Sequence, residues 1–362
     1  MYIVTLTSLF ATFLVLLETE RKISFGFGLA FFLVTFLQAV HYDYGSDYMA
    51  YMKLFNEFTE GPFSFKYFFA SLNYRDPFWP IFCYMFKPFG FFGLVAFLSI
   101  FQNSVYFYFI RKFVPESWLA LGVFVYLFTP QLYMLNMSMF RQGFTEAIFL
   151  TSFLLVQEKK LYRYIIATIL MVCAGQIHSS ANLFLPFLLW PLIPMKNAKE
   201  IVLLFLILFV VFYTSTSLTN YFATIFFKMS FFERFTFYSE SKANILSVWS
   251  ILMTIPAFVI LLFLKDNQNE MQNRIVSMAV FERIIVPFST MAALAGRLGI
   301  YFSVFYMVAI PIAYSKVRDY YTKMMLTVVY LATSLYNYFV YFGNPLYASS
   351  YQNFHSIFEV IF

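Results

Sequence analysis

Charged residues are scarce in this sequence. Asp, Glu, Lys and Arg make up 12% of the 362 residues, whereas hydrophobic residues make up 61% and aromatic residues 23%. Soluble domains usually carry about 25% charged residues. Apolar stretches of about 20 residues, long enough for a helix to cross the hydrocarbon core of a bilayer, follow one another along the chain. This composition excludes a water-soluble fold and predicts an all-α polytopic protein whose surroundings are the lipid bilayer.

Cysteine is almost absent as well. The only two, Cys83 and Cys173, lie in apolar surroundings without a CxxC or Cys/His spacing, so the sequence predicts no disulfide framework and no thiolate metal site. Asp43 and Asp47 are four positions apart and form no Asp-x-Asp metal signature. We expect no metal, no cofactor and no nucleic-acid partner.

Apolar runs between helix breakers predict about 12 transmembrane helices in a single membrane domain, 1–362. The first run has no basic n-region and no small-residue cleavage site before Glu18, which favours a retained helix over a signal peptide. Residues 76–88 are aromatic but interrupted by prolines, so we expect an interfacial or re-entrant piece there. The predicted spans are 1–17, 23–40, 91–110, 118–135, 142–157, 162–177, 181–194, 200–219, 246–264, 275–295, 297–313 and 322–341.

Lysine and arginine residues mark alternate loops. Fourteen of the 24 fall in six short loops, and the positive-inside rule places these loops in the cytoplasm. Both termini and the two long connections, about 41–90 and 220–245, then lie on the outer face, where we expect short interfacial helices. The residues concerned are Arg21, Lys22, Arg111, Lys112, Lys159, Lys160, Arg163, Lys196, Lys199, Lys265, Arg274, Lys316, Arg318 and Lys323.

Ionised side chains at or within predicted spans are energetically expensive and therefore suggest function. Arg141 opens a predicted helix beside Gln142, and Arg297 lies between two apolar runs, one turn before Tyr301. Guanidinium groups bind phosphate through paired hydrogen bonds and keep their charge, so these arginines suit an anionic, phosphate-bearing substrate. Snorkelling of Arg141 to the lipid headgroups is the structural alternative.

His178 and Asp47 are the candidate proton acceptors. His178 falls at the outer end of a predicted helix, where an imidazole can exchange protons near neutral pH, although a structural histidine fits the same position. A helix that starts at Ser46 would align Asp47, Tyr48 and Tyr51 on one face. Phenols beside a carboxylate are typical of sugar sites, and interfacial aromatic belts have the same composition.

Five short motifs follow one another along the chain. They are GSDYMAY (45–51), RDPFW (75–79), FRQG (140–143), QIHSS (176–180) and AGRLGIYF (295–302). Their order, spacing and sidedness resemble the EpsG-like branch of Wzy-type polysaccharide polymerases. Two positions depart from that family's pattern: His41 stands where an arginine is common, and Asp76 stands where a glutamate is usual.

The resemblance implies a GT-C-like architecture and a metal-independent enzyme of the bacterial inner membrane. Such an enzyme joins oligosaccharide repeat units carried on undecaprenyl diphosphate at the periplasmic face, with a chain-length regulator as a further partner. We then expect Arg141 and Arg297 to bind the diphosphate, and Asp47 or His178 to remove the proton of the attacking hydroxyl. Substrate-binding roles are predicted for Tyr48, Tyr51, Arg75, Asp76, Gln142 and Tyr301.

Two other functions remain open. A membrane glycosyltransferase or ligase would transfer a single sugar or a finished chain from a polyprenyl donor, and its product would not form a ladder. A transporter or flippase of lipid-linked oligosaccharide would show repeated halves and polar residues on both sides of the bilayer midplane. No repeat is visible and the polar candidates lie on one face, which favours the enzyme.

Overall fold

The computed structural model describes residues 1–62, 76–193, 203, 207, 269–285 and 299–361. These residues are almost entirely helical, and their one sheet pairs two strands of two residues each. The chain divides into two compact units. The first contains Met1–Lys112, Tyr126–Ile193 and Phe339–Phe362, and the second contains Phe113–Val125 and Pro194–Tyr338. A single membrane domain stays a prediction.

The elements of the described residues follow the predicted order of apolar runs. Four 3-10 segments, Lys87–Phe89, Glu116–Trp118, Leu135–Met137 and Ser179–Leu192, lie between them. The helices and strands are α1 (Tyr2–Thr19), α2 (Gly26–Val40), β1 (His41–Tyr42), α3 (Tyr48–Thr59), α4 (Phe78–Met85), α5 (Gly90–Phe113), α6 (Leu119–Phe128), α7 (Phe140–Val156), α8 (Leu161–Ile177), α9 (Glu270–Ile285), α10 (Tyr306–Lys316), α11 (Tyr320–Gly343), α12 (Pro345–Gln352), β2 (His355–Ser356) and α13 (Phe358–Ile361).

Three helices within the described ranges are long and apolar enough to cross a membrane: Tyr2–Thr19, Lys87–Phe113 and Tyr320–Gly343. The all-α fold class is therefore confirmed and its apolar helices are consistent with a membrane protein, whereas the count of 12 spans and the GT-C-like architecture stay predictions. The predicted span 246–264 and the predicted outer loop 220–245 lie outside the described residues, as does the predicted span 200–219 except for Leu203 and Ile207. Shorter apolar helices cover Gly26–Val40, Glu116–Phe128, Leu161–Ile177 and Ser179–Leu192.

The helix predicted over 118–135 is shorter than expected. It ends at Phe128, because the ring of Pro130 disfavours helical backbone at Thr129, the residue before it. The chain then passes through a turn and the 3-10 segment Leu135–Met137 before α7 begins at Phe140.

The span predicted over 181–194 is a 3-10 helix rather than an α-helix. It covers Ser179–Leu192 and contains Pro186 and Pro191, which have no N–H for an α-helical ladder. A 3-10 helix rises about 2.0 Å per residue, so these 14 residues extend over roughly 28 Å. This segment is therefore nearly as long as the hydrocarbon core is thick.

The hairpin of α1 and α2 depends on glycine where α2 begins. A Cβ at Gly26 would overlap with the carbonyl oxygen of Leu14, so only glycine lets the two helices approach this closely. At the same end, Glu18 accepts a hydrogen bond of 2.7 Å from the N–H of Phe27 and pairs with Arg111 at 3.3 Å. The α1–α2 turn and the end of α5 thus share one face, which we call the basic face.

A buried polar chain connects α2, α5 and α6. The hydroxyl of Tyr126 donates to Oδ1 of Asn103 at 2.7 Å, and Nδ2 of Asn103 donates to Oε1 of Gln38 at 2.7 Å. Hydrogen bonds between membrane helices contribute on the order of 0.6 kcal/mol each. Their larger effect is to fix how the three helices are rotated against one another, because a buried amide left without a partner is costly.

The other end of the first unit gathers segments that are distant in sequence. β1 pairs antiparallel with β2, and the amino group of Met1 donates to the carbonyl of Gln352 at 2.6 Å. Helix α4 has eight residues, about 12 Å of helix, which is too short to cross a bilayer. We call this end the site face. It comprises residues 41–47, 76–79, 137–141, 178–179 and 345–357.

We expect Gly26→Ala to lower the stability of the protein and Gly28→Ala to leave it unchanged or raise it. The first substitution forces a methyl group into the backbone of α1, which costs roughly 1–3 kcal/mol. No atom lies within 4 Å of a Cβ at Gly28, and alanine is the better helix former there. Thermal unfolding in detergent compares the two, and equal midpoints for both variants would contradict the close contact.

Candidate active site

An ion pair between Asp76 and Arg141 lies at the centre of the site face. Asp76 lies two residues before the first residue of α4, and Arg141 is in the first turn of α7. Nη1 of Arg141 lies 2.6 Å from Oδ2 of Asp76, and the side chains are 27% and 6% exposed. Removing both charges from water is expensive unless the pair is close and well hydrogen-bonded. The short distance between the two groups meets that requirement. Because the Arg141 side chain is 27% exposed, part of the guanidinium stays accessible.

The second oxygen of Asp76 reaches a third segment. The backbone N–H of Ser179 donates to Oδ1 at 2.9 Å. Ser179 directly follows His178, which ends α8 in an extended conformation and whose N–H bonds to Ala174 at 2.8 Å. The half-buried His178 therefore occupies the turn that Asp76 fixes. One carboxylate thus connects the segments that carry RDPFW, FRQG and QIHSS.

Tyr51 is the other partner of Arg141. Nε of Arg141 donates to the Tyr51 hydroxyl at 3.2 Å, and the guanidinium carbon lies 5.5 Å from the centre of the ring. The rings of Trp79 and Phe140 contact Tyr51 at 5.8 and 5.4 Å. This aromatic wall orients the guanidinium, because a cation above a ring face is attracted by the ring quadrupole. Nη1 and Nε are occupied, and Nη2 makes no hydrogen bond within the described ranges.

The start of α3 differs from the expectation. The helix begins at Tyr48, not Ser46, and Asp47 stands at its N-cap position without a capping hydrogen bond. Tyr48 is fully buried and its hydroxyl donates to the carbonyl of His41 at 3.0 Å. Tyr48 thus lies in the interior, whereas Asp47 is exposed and lies one turn before Tyr51. Tyr48 and Tyr51 share one helix face, since both rings contact Phe140, but the fully buried Tyr48 is not accessible for its predicted role in substrate binding.

His41 fastens the end of α2 to the segment before α7. Its Nδ1 contacts the carbonyl of Gln38 and its Nε2 lies 2.6 Å from the carbonyl of Met137. Two carbonyl acceptors favour the charged ring, whereas complete burial disfavours it. Burial is the larger effect and lowers the pKa of His41 to about 4. The ring is therefore neutral at physiological pH.

Gly143 of the FRQG motif has a packing role. A Cβ there would lie 2.9 Å from the amide of Asn136. That amide donates to Oε2 of Glu146 at 3.4 Å, and the Tyr106 hydroxyl reaches the same oxygen at 3.4 Å. Glu146 is fully buried, and no cation pairs with it in the part of the chain that the structure describes. Glycine at this position allows the segment before α7 to lie directly against the helix.

The remaining predicted site residues are placed as follows. Gln142 is buried behind Arg141 in α7, and Tyr301 is buried in the second unit. Arg75 and Arg297 lie outside the described residues. Among the residues described, no group of three or more His, Cys, Asp and Glu side chains is arranged to hold a metal ion. The structure thus brings together Tyr51, Asp76 and Arg141, with His178 and Asp47 at their margins.

Several contacts that organise the site were not predicted. Ser179 contributes a backbone N–H, which has no sequence signature. Trp79 belongs to the RDPFW motif, and its ring contacts Tyr51. Glu146 and Asn136 are polar residues in apolar surroundings, a pattern that indicates a buried polar contact. Tyr351 lies in a segment without any motif.

The protein-family model described as the EpsG family matches residues 25–355 of the chain. The chain belongs to the EpsG family. The match includes every segment of the site face except its last two residues, and EpsG membership suggests a polysaccharide polymerase type of role. Neither a curated protein nor a solved structure matches the chain significantly.

We expect Asp76→Asn to destabilise this EpsG-family protein by about 2 kcal/mol, because Arg141 loses its counter-charge while partly removed from water. Asp43→Asn is the matched control, since Asp43 is exposed and its positive φ of 45° suits asparagine. Thermal unfolding of both variants in detergent tests this. Equal midpoints would mean that the ion pair contributes no stability.

We expect stability to fall as the pH falls from 7.5 to 5.5. In this window the unfolded chain protonates His41 near its ordinary pKa of about 6.5, and the folded protein, with a pKa of about 4, does not. The loss amounts to about 1.4 kcal/mol. The unfolding midpoint of the wild-type protein should therefore fall across this pH range. Most of that fall should disappear in His41→Gln and persist in His355→Gln, because His355 is exposed. An unchanged fall in His41→Gln would contradict the assignment.

Proposed function

We propose that this protein is a polymerase that joins oligosaccharide units carried on undecaprenyl diphosphate into a surface polysaccharide. EpsG family membership supports the reaction class. The observation that carries the proposal is the partly exposed guanidinium of Arg141, held at one face of a membrane unit by Asp76 and Tyr51. A held arginine with a donor nitrogen still available suits a phosphate group that arrives from the bilayer.

The position of Arg141 in α7 adds to its attraction for anions. It lies in the first turn of a 17-residue helix, and the N-terminal end of a helix carries about half a positive charge. Asp76 neutralises the guanidinium only from the Nη1 side. A diphosphate that approaches Nη2 would meet the remaining donors and the positive end of the helix together.

The distribution of basic residues supports an outer site. Arg111 lies on the basic face of the first unit, and the predicted cytoplasmic loops include the turn from α1 to α2, which occupies the same face. The site face is at the opposite end of these helices. With basic loops in the cytoplasm, the site opens toward the periplasm of a bacterial inner membrane, where both chain ends also lie.

In the proposed reaction, a hydroxyl of one saccharide unit attacks the anomeric carbon of the chain linked to diphosphate. A carbon–oxygen bond forms, the bond from that carbon to the diphosphate breaks, and its electron pair leaves with the lipid diphosphate. Arg141 stabilises this departing charge. The diphosphate-binding role of Arg297 stays a prediction from the sequence, because that residue lies outside the described residues. The hydroxyl proton passes to Asp47 or His178. Asp76 uses both oxygens in hydrogen bonds, so its role is to hold Arg141.

We expect Arg141→Ala to abolish long polymer in a deletion strain that carries the variant gene. Loss of one charge-stabilising donor lowers turnover about 10²–10³-fold, which leaves mainly single repeat units. Arg163→Ala is the control, because Arg163 is an arginine of the predicted cytoplasmic loops that pairs with Glu158 at 2.7 Å. Surface polysaccharide separated by size on a gel, with membrane levels of each variant measured, gives the readout. Arg297→Ala and His178→Ala test the other assigned roles.

Each outcome separates the candidate functions. If deletion leaves single capped units, the wild-type gene restores the ladder and Arg141→Ala does not, polymerase activity is supported. If deletion removes even the single unit from the cell surface, the step that fails is export or ligation, and the polymerase proposal is wrong. A full ladder in Arg141→Ala at normal membrane levels would refute the role of Arg141.

A further inference from the structure

We propose that Tyr351 is a positioning residue of this site, which holds the loop that carries Asp47 against the segment that carries Arg141. The inference rests on the proposed function, because it assigns Tyr351 to the same reaction. Tyr351 lies in α12, after the last predicted span, in a stretch without any motif. Nothing in its sequence context points to the site, and only the packing of the site face reveals it.

The hydroxyl of Tyr351 reaches the segment before α7. It lies 3.0 Å from Oγ of Ser138, three residues before Arg141. Both residues are buried, so this hydrogen bond does not compete with water and its loss leaves a polar group unsatisfied. The bond connects α12 with the bend from which Arg141 enters α7.

The ring of Tyr351 reaches the first loop. It contacts Tyr44 edge-on at 5.2 Å, and Tyr44 is three residues before Asp47. Between them, Gly45 has a φ of +104°, and a Cβ there would overlap with the side chain of Ser138 and lie 3.0 Å from the Tyr351 hydroxyl. The glycine of GSDYMAY is thus required because the loop, Ser138 and Tyr351 converge on one point.

Backbone hydrogen bonds on both sides keep this contact in register. The N–H of Gly45 donates to the carbonyl of Ser350 at 2.9 Å, and the N–H of Ile357 donates to the carbonyl of Val40 at 2.8 Å. The pairing of β1 with β2 lies between them in space and sequence. Residues 345–357 therefore form a fixed wall of the first loop, and Tyr351 is the side chain by which this wall reaches Ser138.

Asp47 is within electrostatic range of this tyrosine. Burial raises the pKa of Tyr351, and the negative charge of Asp47 raises it further, so the phenol stays neutral and acts through its hydrogen bond. Asp47 itself is exposed at the open side of the loop. A shift of the loop would move Asp47 relative to Arg141, and a misplacement of about 1 Å can cost up to 10²-fold in rate.

The test is a double-mutant cycle in the purified full-length protein, with an undecaprenyl-diphosphate-linked repeat unit as the probe. Tyr351→Phe keeps the ring and removes the hydroxyl, and Ser138→Ala removes its partner. We expect each single variant to lower kcat about tenfold with KM unchanged. The kcat of the double variant should be no lower than that of either single variant, because all three variants remove the same hydrogen bond. Tyr347→Phe, one turn earlier in α12 and stacked on Tyr341, is the control and should match wild type.

The outcomes distinguish this inference from the proposed function. Wild-type kcat in Tyr351→Phe, additive losses in the double variant, or a loss of rate that only follows a loss of folded protein in thermal unfolding would each overturn the positioning role. In those cases the wild-type protein still polymerises and the proposed function stands. A wild-type protein that makes no polymer from this probe would instead remove the basis of both.

Discussion

The carboxylate of Asp76 is the contact on which the candidate site depends. One oxygen holds Arg141 and the other holds the N–H of Ser179, so a single residue fixes α4, α7 and the end of α8 relative to one another. A buried carboxylate is stable only when its oxygens are satisfied. The three segments supply the carboxylate of Asp76, the guanidinium of Arg141 and the N–H of Ser179. Displacing any of these segments would leave a charge or an amide without its partner.

Polar contacts and close backbone contacts together determine how the segments of the first unit pack. The polar chain of Gln38, Asn103 and Tyr126 fixes the rotation of helices in the interior, and glycines set the distances at which segments meet. Gly143 admits Asn136 against α7, and Gly45 admits Ser138 against the first loop. In a bilayer, where apolar burial does not drive helices together, such contacts carry much of the specificity of packing.

Hydropathy predicted most of the helices in the described ranges, because a run of about 20 apolar residues has few alternatives in a membrane. It failed where proline changed the backbone, at Pro130 and in Ser179–Leu192. The charge distribution placed Asp76, Arg141 and His178 on one face, and the structure joins the first two directly. Tyr48 lies on the expected helix face but is buried, with its hydroxyl bonded to the carbonyl of His41, a tertiary contact that no local pattern specifies.

Other features of the site had no sequence signal to follow. The partners of Arg141 are 65 and 90 positions away, and sidedness alone does not specify which residues on a face touch. Ser179 contributes a backbone N–H, a group that every residue type except proline has. The two-residue strand β2 has no periodicity to detect, and Tyr351 is one of 28 tyrosines in the chain. Such contacts come from tertiary packing and not from local pattern.

The pairing of the two ends of the chain has a consequence for biosynthesis. Met1 bonds to Gln352, 351 positions later, and β1 receives its partner strand only from residues near the C-terminus. At about 5–20 residues per second, tens of seconds separate synthesis of the two partners. During that interval Tyr44 and the edge of β1 lack the wall against which they pack. The ribosome must therefore synthesise the chain at least as far as residues 350–357 before the first loop can assume its final form.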